Sequence, residues 1–570
     1  MIEDNIMSVL QFEKVNCKNC YKCVRNCPVK AIEVKNQYAQ IRESECILCG
    51  KCTIVCPQKT KGSISEIEQV KEAIQKGKQV IASVAPSFFA YFTLSFPAMQ
   101  RTLNQLHFTD SFETAEGAYH VKTEYERLTS KYPERVLLSS CCSSVNELIC
   151  KYYPELMNYL APVLTPMQVH AKGLKEQFPE AVIVFISPCI SKKAERYDRN
   201  SMVDYVITYE ELSDWFEEAG VELVKDVNVA EKQYLSRKFP ISGGILECMK
   251  KVEQCNYISI SGFDACVQAL LDIKRGELSN CFIEMSLCEG GCIGGPSFQE
   301  REHSLLRAML KMKQYISVTE YEKDYNLTCK VSIERDFQKG DKAFLAMPSE
   351  NQITAVMRKM GKRNKADELN CSMCGYASCR DKAVAVILGK AEINMCLPFM
   401  KERAESFSNQ IIGITPNAIL AVDMDLKVQQ INQAACDIFK VSQEDIINQP
   451  VSRILDEFDF VHVLTSNDEK YEKYEKNAYL AEYNAYLNQI FLYDKASSMV
   501  VCIMKNITAD RQKKNLLLKK KIQAAAMADD IADRQLRIVH EIASILGETA
   551  AETKIAIHDL KETILMDDEE

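Results

Sequence analysis

Twenty-five of the 570 residues are cysteines, and their spacing carries the strongest chemical signal in the sequence. Two runs near the N-terminus share one pattern: Cys17-x2-Cys20-x2-Cys23-x3-Cys27-Pro28 and Cys46-x2-Cys49-x2-Cys52-x3-Cys56-Pro57. In such runs three thiolates of one loop bind a 4Fe-4S cube, and the fourth ligand comes from the other run. The pattern predicts one cluster on Cys17, Cys20, Cys23 and Cys56, and a second on Cys27, Cys46, Cys49 and Cys52. A pair of zinc ribbons is the alternative, although zinc sites favour separated cysteine pairs.

Three more cysteine motifs occupy the central part of the chain, where short apolar segments alternate with helical periods. The predicted strands are Val80 to Ser83, Val136 to Ser139, Val182 to Ser187 and Tyr257 to Ser259. The motifs lie at the ends of such strands, and they read Ser140-Cys141-Cys142-Ser143, Pro188-Cys189-Ile190-Ser191-Lys192-Lys193-Ala194-Glu195 and Cys288-Glu289-Gly290-Gly291-Cys292-Ile293-Gly294-Gly295. Because parallel α/β folds bind ligands at the ends of their strands, we expect these motifs to meet in one α/β domain.

From the N-terminal runs to about Pro296, the sequence resembles the iron-only (FeFe) hydrogenase family. The resemblance implies an active-site cluster whose cubane is bound by Cys142, Cys189, Cys288 and Cys292. Cys292 would also bridge to a diiron subsite that carries CO, cyanide and a dithiolate ligand.

The same resemblance implies roles for side chains around the diiron subsite. Lys192 would hydrogen-bond one cyanide, and Glu195 belongs to the same motif. Pro86 and Ser87 resemble the segment that contacts the other cyanide. Cys141 would be the proton shuttle, because a thiol pKa lies near neutrality.

The sequence also departs from the family pattern at several positions. Ser143 stands where the first motif has proline, and Ser187 and Ser286 stand where methionines are expected. In catalytic members of the family, two glutamates and a serine relay protons. The corresponding positions here lie between Thr114 and Tyr119 and near Ala161, and they lack these residues, so the relay looks broken. We therefore expect slow turnover. A related scaffold that keeps the cubane but lacks the diiron subsite is an alternative, although Cys292, Cys141 and Lys192 are retained.

The C-terminal third contains another cysteine motif and segments of signalling type. Cys371, Cys374, Cys379 and Cys396 have the spacing of a further 4Fe-4S site in a small helical domain, with zinc as the alternative. The segment from Ile419 to Phe439 reads as strand, turn, strand and helix, and it resembles a PAS domain. After residue 511 the pattern predicts a helical hairpin, with Gly547 ending the first helix and Thr549 opening the second. His540-Glu541 resembles the phospho-acceptor box of histidine kinases, but no glycine-rich ATP-binding domain follows.

Composition limits the compartment and the partners. The net charge of −9 argues against a nucleic-acid-binding surface. The acidic N-terminus lacks a signal pattern, and no apolar run approaches the roughly 20 residues that span a bilayer. We expect a cytoplasmic protein without membrane contact, whose clustered thiols bind metal instead of forming disulfides.

Together these features predict a multidomain α/β protein. The expected domains are a two-cluster ferredoxin module (1–65), an α/β hydrogenase active-site domain (66–345), a small helical 4Fe-4S domain (346–404), an α+β PAS domain (405–511) and a C-terminal helical dimerisation or output segment (512–570). The predicted function is hydrogen sensing by an iron-only hydrogenase of ferredoxin type and low activity. Its partners would be H2 and protons, a redox partner such as ferredoxin, a separate kinase or phosphatase as signalling output, and a second copy of the chain. The alternative is a ferredoxin-linked catalytic hydrogenase.

Overall fold

The computed structural model describes residues 9–13, 16–223, 235–300, 304–317, 331–338, 347–465, 473–494 and 497–566. The chain forms two compact units, Met1–Met400 and Lys401–Glu570. Every helix among the described residues is too short or too polar to cross a lipid bilayer.

The first unit begins with a small module that carries the two N-terminal cysteine runs. Its elements are β1 (Leu10–Phe12), α1 (Lys22–Asn26), β2 (Ile32–Lys35), β3 (Tyr38–Ile41), α2 (Lys51–Ile54) and β4 (Lys61–Ser63). Strand β1 pairs antiparallel with β4, and β2 with β3. Each short helix begins inside a cysteine run, so that Cys23 lies on α1 and Cys52 on α2.

Two parallel sheets follow in the central part of the first unit. The elements up to residue 218 are α3 (Ile67–Gln75), β5 (Val80–Val84), α4 (Phe88–Phe92), α5 (Phe96–Gln105), β6 (Asp110–Glu113), α6 (Ala115–Lys131), β7 (Val136–Leu138), α7 (Ser143–Tyr152), α8 (Pro166–Gln177), β8 (Val182–Ser187), α9 (Ser191–Glu195), β9 (Tyr205–Thr208) and α10 (Tyr209–Glu218). They are followed by α11 (Gly244–Cys248), β10 (Asn256–Ser261), α12 (Phe263–Arg275), β11 (Cys281–Ser286), α13 (Pro296–Glu300) and α14 (Leu305–Ser317). One sheet has the order β6-β5-β8-β9 and the other β10-β11-β7.

The cysteine motifs follow the carboxyl ends of these parallel strands, as the sequence predicted. Cys141 and Cys142 follow β7, Cys189 follows β8, and Cys288 follows β11. Strands β5 and β8 are buried along their whole length because helices cover both faces of the sheet. The strands therefore form a rigid base for the loops that follow them.

The first unit ends in a small helical region. Helix α15 (Glu350–Lys359) begins after Ser349, whose backbone N–H is bound by the side chain of Gln352. It packs through Ile353 and Met357 against Ala383 of α16 (Cys379–Ile387). Ser378 caps α16 by accepting a hydrogen bond from the backbone N–H of Asp381.

The second unit contains a five-stranded antiparallel sheet. Its elements are the end of α17 (Leu397–Ile414), β12 (Ala418–Val422), β13 (Val428–Ile431), α18 (Gln433–Phe439), α19 (Gln443–Ile446), α20 (Phe458–Thr465), β14 (Lys473–Leu480), β15 (Ala485–Asp494) and β16 (Met499–Asn506). The strand order is β13-β12-β16-β15-β14. Alternate residues of β15 and β16 face a core with Phe439 and Phe460, so one face of the sheet is covered by the helices.

The predicted C-terminal helical hairpin is wrong, because residues 508–566 form one helix, α21 (Thr508–Met566). Gly547 does not adopt the positive φ of a helix-ending glycine. Thr549 donates its hydroxyl to the carbonyl of Ile545 one turn earlier, instead of capping a new helix. A single glycine costs only about 1 kcal/mol relative to alanine inside a helix, which the strong helix formers around it offset.

Candidate metal centres and active-site cavity

Among the described residues of the first unit, four cavities are each lined by four or more cysteines. Two of them lie in the N-terminal module. One is lined by Cys17, Cys20, Cys23 and Cys56, and the other by Cys27, Cys46, Cys49 and Cys52. The third cavity, in the small helical region, is lined by Cys371, Cys374, Cys379 and Cys396. The cysteines that line these three cavities are those of the predicted sets, and cluster binding by each set stays a prediction.

The fourth cavity, of about 990 Å³ including its opening to solvent, is the largest of the four and lies at the strand ends of the central sheets. Its cysteines are Cys49, Cys141, Cys142, Cys189, Cys288 and Cys292. Pro86, Ser87 and Lys192 line the same space, whereas Glu195 lies behind Lys192. We call this space the active-site cavity. It brings together cysteines from all three central motifs.

The thiols around the active-site cavity are close enough to influence one another. Burial raises the pKa of Cys288 well above its usual range, and the neighbouring Cys189 and Cys142 raise it further. Burial and Cys189 also raise the pKa of Cys142. Neutral thiols are therefore favoured unless a cation compensates their charge, and iron does so in a cluster. The cysteine ligands, the size of the cavity and the need for a compensating positive charge all fit an iron–sulfur group in this cavity.

Cys49 and Gly50 connect the N-terminal module to the active-site cavity. Cys49 lines both the active-site cavity and the cavity of the second cysteine set. Gly50 has a φ of 71°, and a Cβ there would clash with Pro296 and lie 3.0 Å from Cδ1 of Ile190. Only glycine allows this close approach without strain.

The first N-terminal cavity is similarly close to the helical region. Arg25 on α1 donates to the carbonyl oxygens of Ser372 and Met373 at 3.3 and 3.1 Å. The ammonium of Lys30 donates to the carbonyl of Gly375 at 3.0 Å. Tyr21 packs in the same cluster as Cys374, and burial, together with the charges of Glu392, Cys17 and Cys374, raises its pKa. The loops that carry two cysteine sets therefore pack directly against each other.

Lys192 is held in the active-site cavity by a network around Glu195. Its Nζ lies 2.5 Å from Oε2 of Glu195 and 3.3 Å from the carbonyl oxygen of Cys141. The hydroxyls of Ser143 and Thr165 also donate to the Glu195 carboxylate. Burial opposes ionisation of Glu195, but the charges of Lys192 and Arg335 hold its pKa below the usual range. A fixed positive charge thus faces the cavity.

Cys141 contacts a residue that sequence comparison did not single out. The phenol oxygen of Tyr125 lies 3.2 Å from Sγ of Cys141. Ala161 packs in the same cluster, whereas Ala115 and Tyr119 are not part of it. Burial raises the pKa of Cys141 to about 12, against the hydrogen bond from Tyr125 and the charge of Lys192.

Glu284 is a second residue that the sequence analysis missed. It lies on the buried strand β11 and accepts hydrogen bonds from the backbone N–H groups of Gly243, Ile245 and Leu246. Burial raises its pKa to about 7, against these hydrogen bonds. Its charge also raises the pKa of Cys141. The available signal was a glutamate in the middle of an otherwise apolar strand.

Comparisons with known proteins agree with the site. Residues 78–296 match the model of the C-terminal domain of the iron-only hydrogenase large subunit, and residues 16–60 match a 4Fe-4S dicluster domain. Residues 367–398 match an Fe-S cluster domain, and residues 406–475 match a PAS domain.

Individual relatives are distant. Iron hydrogenase 1 of Clostridium pasteurianum is 25% identical over an alignment of 299 positions. The match covers 40% of this chain and 52% of that protein, so the chain spans about half the length of this relative. An apo [FeFe]-hydrogenase structure from Chlamydomonas reinhardtii is 18% identical over 48% of this chain and 91% of that one, with a TM-score of 0.36. A PAS domain from Haloarcula marismortui is 14% identical over 19% of this chain and 95% of that one, with a TM-score of 0.17.

The domain matches and the relative thus support the hydrogenase resemblance. The chain is thus similar to iron-only (FeFe) hydrogenases over residues 78–296, and it also matches 4Fe-4S domains and a PAS domain.

Proposed function

We propose that this protein senses hydrogen at an iron-only hydrogenase active site of low activity and passes the signal on through its PAS domain. The observation that carries the proposal is the shared wall at Cys49, which places the active-site cavity beside a ferredoxin-type cysteine set in a chain that also has a PAS domain. Electrons released in the active-site cavity would therefore pass directly to a cluster bound by the neighbouring cysteine set.

The residues of the active-site cavity would have the roles that the family resemblance implies. Cys142, Cys189, Cys288 and Cys292 would bind the cubane, with Cys292 bridging to the diiron subsite. When bound, this group supplies the interconversion of hydrogen with two protons and two electrons. Lys192, fixed by Glu195, would donate a hydrogen bond to a cyanide ligand, and Pro86 and Ser87 would border the other. Cys141 would hold and release a proton at its Sγ atom.

The cysteine sets suggest the order in which electrons move. From the active-site cavity they would pass to the set that includes Cys49, then to the set that includes Cys17, and then to the set that includes Cys374. The contacts of Tyr21, Arg25 and Lys30 with the Cys374 loop support the last step. All four cysteine sets would bind 4Fe-4S cubes in this proposal, and ferredoxin would exchange electrons with this series of clusters.

The C-terminal third would convert the redox signal into an output. Apolar residues such as Ile531, Ile538, Ile542 and Ile545 are exposed along α21 and recur at helical spacing. We propose that this stripe packs against a second copy of the chain, and that a separate cytoplasmic kinase or phosphatase responds to it. We also propose that the chain divides into domains at the boundaries predicted from its sequence.

Infrared spectroscopy with turnover on the same sample tests the proposal. Anaerobic protein, treated with the proteins that insert the diiron unit, would be measured first under argon and then under hydrogen. A sensor should show CO and cyanide bands that shift under hydrogen together with slow turnover. Shifting bands with fast turnover would mean a working catalytic hydrogenase, and no bands after thorough maturation would favour a cubane-only scaffold.

A cysteine variant provides the control. Cys292→Ser should abolish the CO and cyanide bands, because the bridging thiolate is lost. Cys266→Ser is the control, because Cys266 is a buried cysteine on α12 that does not line the active-site cavity. Identical infrared spectra for Cys292→Ser and the unchanged protein would contradict the assignment of the diiron site.

A further inference from the structure

A row of buried polar side chains leaves the active-site cavity between β5, α6 and α8. Thr114 lines the cavity at the start of α6. Its Oγ1 lies 2.9 Å from Oγ of Ser83 on β5, and that oxygen lies 2.7 Å from Nδ1 of His170 on α8. All three side chains are buried. They form a continuous chain of hydrogen bonds that begins at the cavity wall.

The far end of this row approaches a histidine nearer to the surface. Nε2 of His170 has no hydrogen-bond partner among the described residues. Gly117 allows α6 to pass close to α8, because a Cβ there would lie 2.8 Å from Cβ of His170. His120 follows one turn later on α6 and is only partly buried. Its charge contributes to lowering the pKa of His170.

The hydrogen bonds of this row join side chains of different elements, unlike those of two other buried hydroxyls in the first unit. Thr102 and Thr129, which are also buried, donate to backbone carbonyls within their own helices. Ser83 instead connects two other side chains that come from different elements. Hydrogen bonds between side chains are the minority in proteins, and most buried polar side-chain atoms have a partner.

We propose that His120, His170, Ser83 and Thr114 form a proton path between the surface and the active-site cavity. This inference rests on the proposed function, because hydrogen chemistry is what consumes or releases the protons. A proton from His120 binds Nε2 of His170 while the ring gives its Nδ1 proton to Ser83. The hydroxyl proton of Ser83 passes to Thr114, whose own proton passes into the active-site cavity, where the hydrogen chemistry of the proposed function would consume it.

Each group of the path gains one proton and loses one, so the path itself is unchanged after its hydroxyls and the imidazole tautomer reset. The electrons that match these protons come from the cysteine-bound clusters of the proposed function. Burial, with a contribution from His120, lowers the pKa of His170 to about 3, so a charged imidazolium is rarely populated. The path should consequently be slow, which agrees with a sensor.

Histidine NMR tests proton transfer from His120 to His170 without a measurement of hydrogen turnover. The protein would carry its 4Fe-4S clusters but no diiron unit, and its seven histidines would be labelled with ¹⁵N. The His170 signal is the one whose Nδ1 shift changes in Ser83→Ala. We expect His120→Gln to slow the exchange of the His170 ring proton with solvent by about tenfold or more. Unchanged exchange in His120→Gln would overturn the path.

Hydrogen turnover and infrared spectra of the matured protein test the part of the path that leads from Ser83 through Thr114 to the active-site cavity. Ser83→Ala should lower hydrogen turnover by about tenfold or more while the CO and cyanide bands keep their positions. Ser111→Ala is the matched control, because Ser111 is a buried serine on the neighbouring strand β6 that lies outside the row. Equal turnover in the two variants would overturn the path. Absence of bands in every sample would instead overturn the proposed function, and the NMR result would still decide the path.

Discussion

The phenol oxygen of Tyr125 lies 3.2 Å from Sγ of Cys141 and also accepts a hydrogen bond from the backbone N–H of Ser140. Burial raises the pKa of Tyr125 well above its usual range, so the phenol stays protonated near neutral pH. The side chain of α6 that reaches the proposed shuttle thiol is therefore a phenol. The family resemblance places the missing carboxylates earlier on this helix, between Thr114 and Tyr119.

Tyr125→Phe should slow hydrogen turnover further, by about tenfold, because Cys141 loses its hydrogen-bond partner. Turnover would be measured with a reduced dye on matured protein whose infrared bands are intact. Tyr119→Phe is the control on the same helix, since Tyr119 lies outside the cluster around Cys141. Equal rates in the two variants would show that the Tyr125 hydroxyl has no part in proton transfer.

The carboxylate of Glu195 should be important for stability as well as for holding Lys192. Removing one member of a buried ion pair leaves an uncompensated charge and costs about 3 kcal/mol or more. We expect Glu195→Gln to lower the free energy of unfolding by about this amount in anaerobic urea titrations. Ser143→Ala should have a smaller effect of about 1 kcal/mol, because one hydroxyl is lost from the same carboxylate.

An exposed ion pair provides the comparison for Glu195. Glu72 contacts Lys76 at 2.5 Å on the surface of the first unit, where solvent screens the charges. Glu72→Gln should leave the urea midpoint unchanged. If Glu195→Gln also left it unchanged, the network around Lys192 would not contribute to stability.

Glu284 should make folding stability depend on pH in a defined direction. Its pKa is about 7 in the folded protein and 4.5 in its ordinary state, so the folded state binds the proton more tightly. Its stabilising contribution is therefore complete below about pH 4.5 and is lost as the pH rises to about 7, a change of about 3 kcal/mol. Urea titrations across this range should show a smaller decline for Glu284→Gln than for the unchanged protein. Parallel curves for the two proteins would contradict the buried, protonated carboxyl.

The cysteine sets could be predicted because local spacing and one topological rule determine them. A run with two residues between cysteines folds onto one cluster, and motifs after parallel strands meet at one end of a sheet. Tyr125, Glu284 and His170 could not be predicted in this way. Each is a single polar residue in an apolar pattern, and its partners lie on elements that are distant in the sequence.

The C-terminal error has a different physical origin. A glycine followed by a threonine and a glutamate is a local signal for the end of one helix and the start of another. Such signals are worth about 1 kcal/mol each, and a long run of strong helix formers on both sides outweighs them. Gly547 therefore lies inside α21 with open space around it.

Gly547→Ala distinguishes the single helix from a hairpin. In a continuous helix the alanine removes backbone freedom from the unfolded state and should stabilise α21 locally by about 1 kcal/mol. Hydrogen exchange of the backbone amides between residues 540 and 555 of the full-length protein would measure this as slower exchange. Ala543→Gly, at an exposed position one turn earlier, should speed exchange by a similar factor. In a hairpin, Gly547 would need a positive φ, so alanine there would speed exchange instead of slowing it.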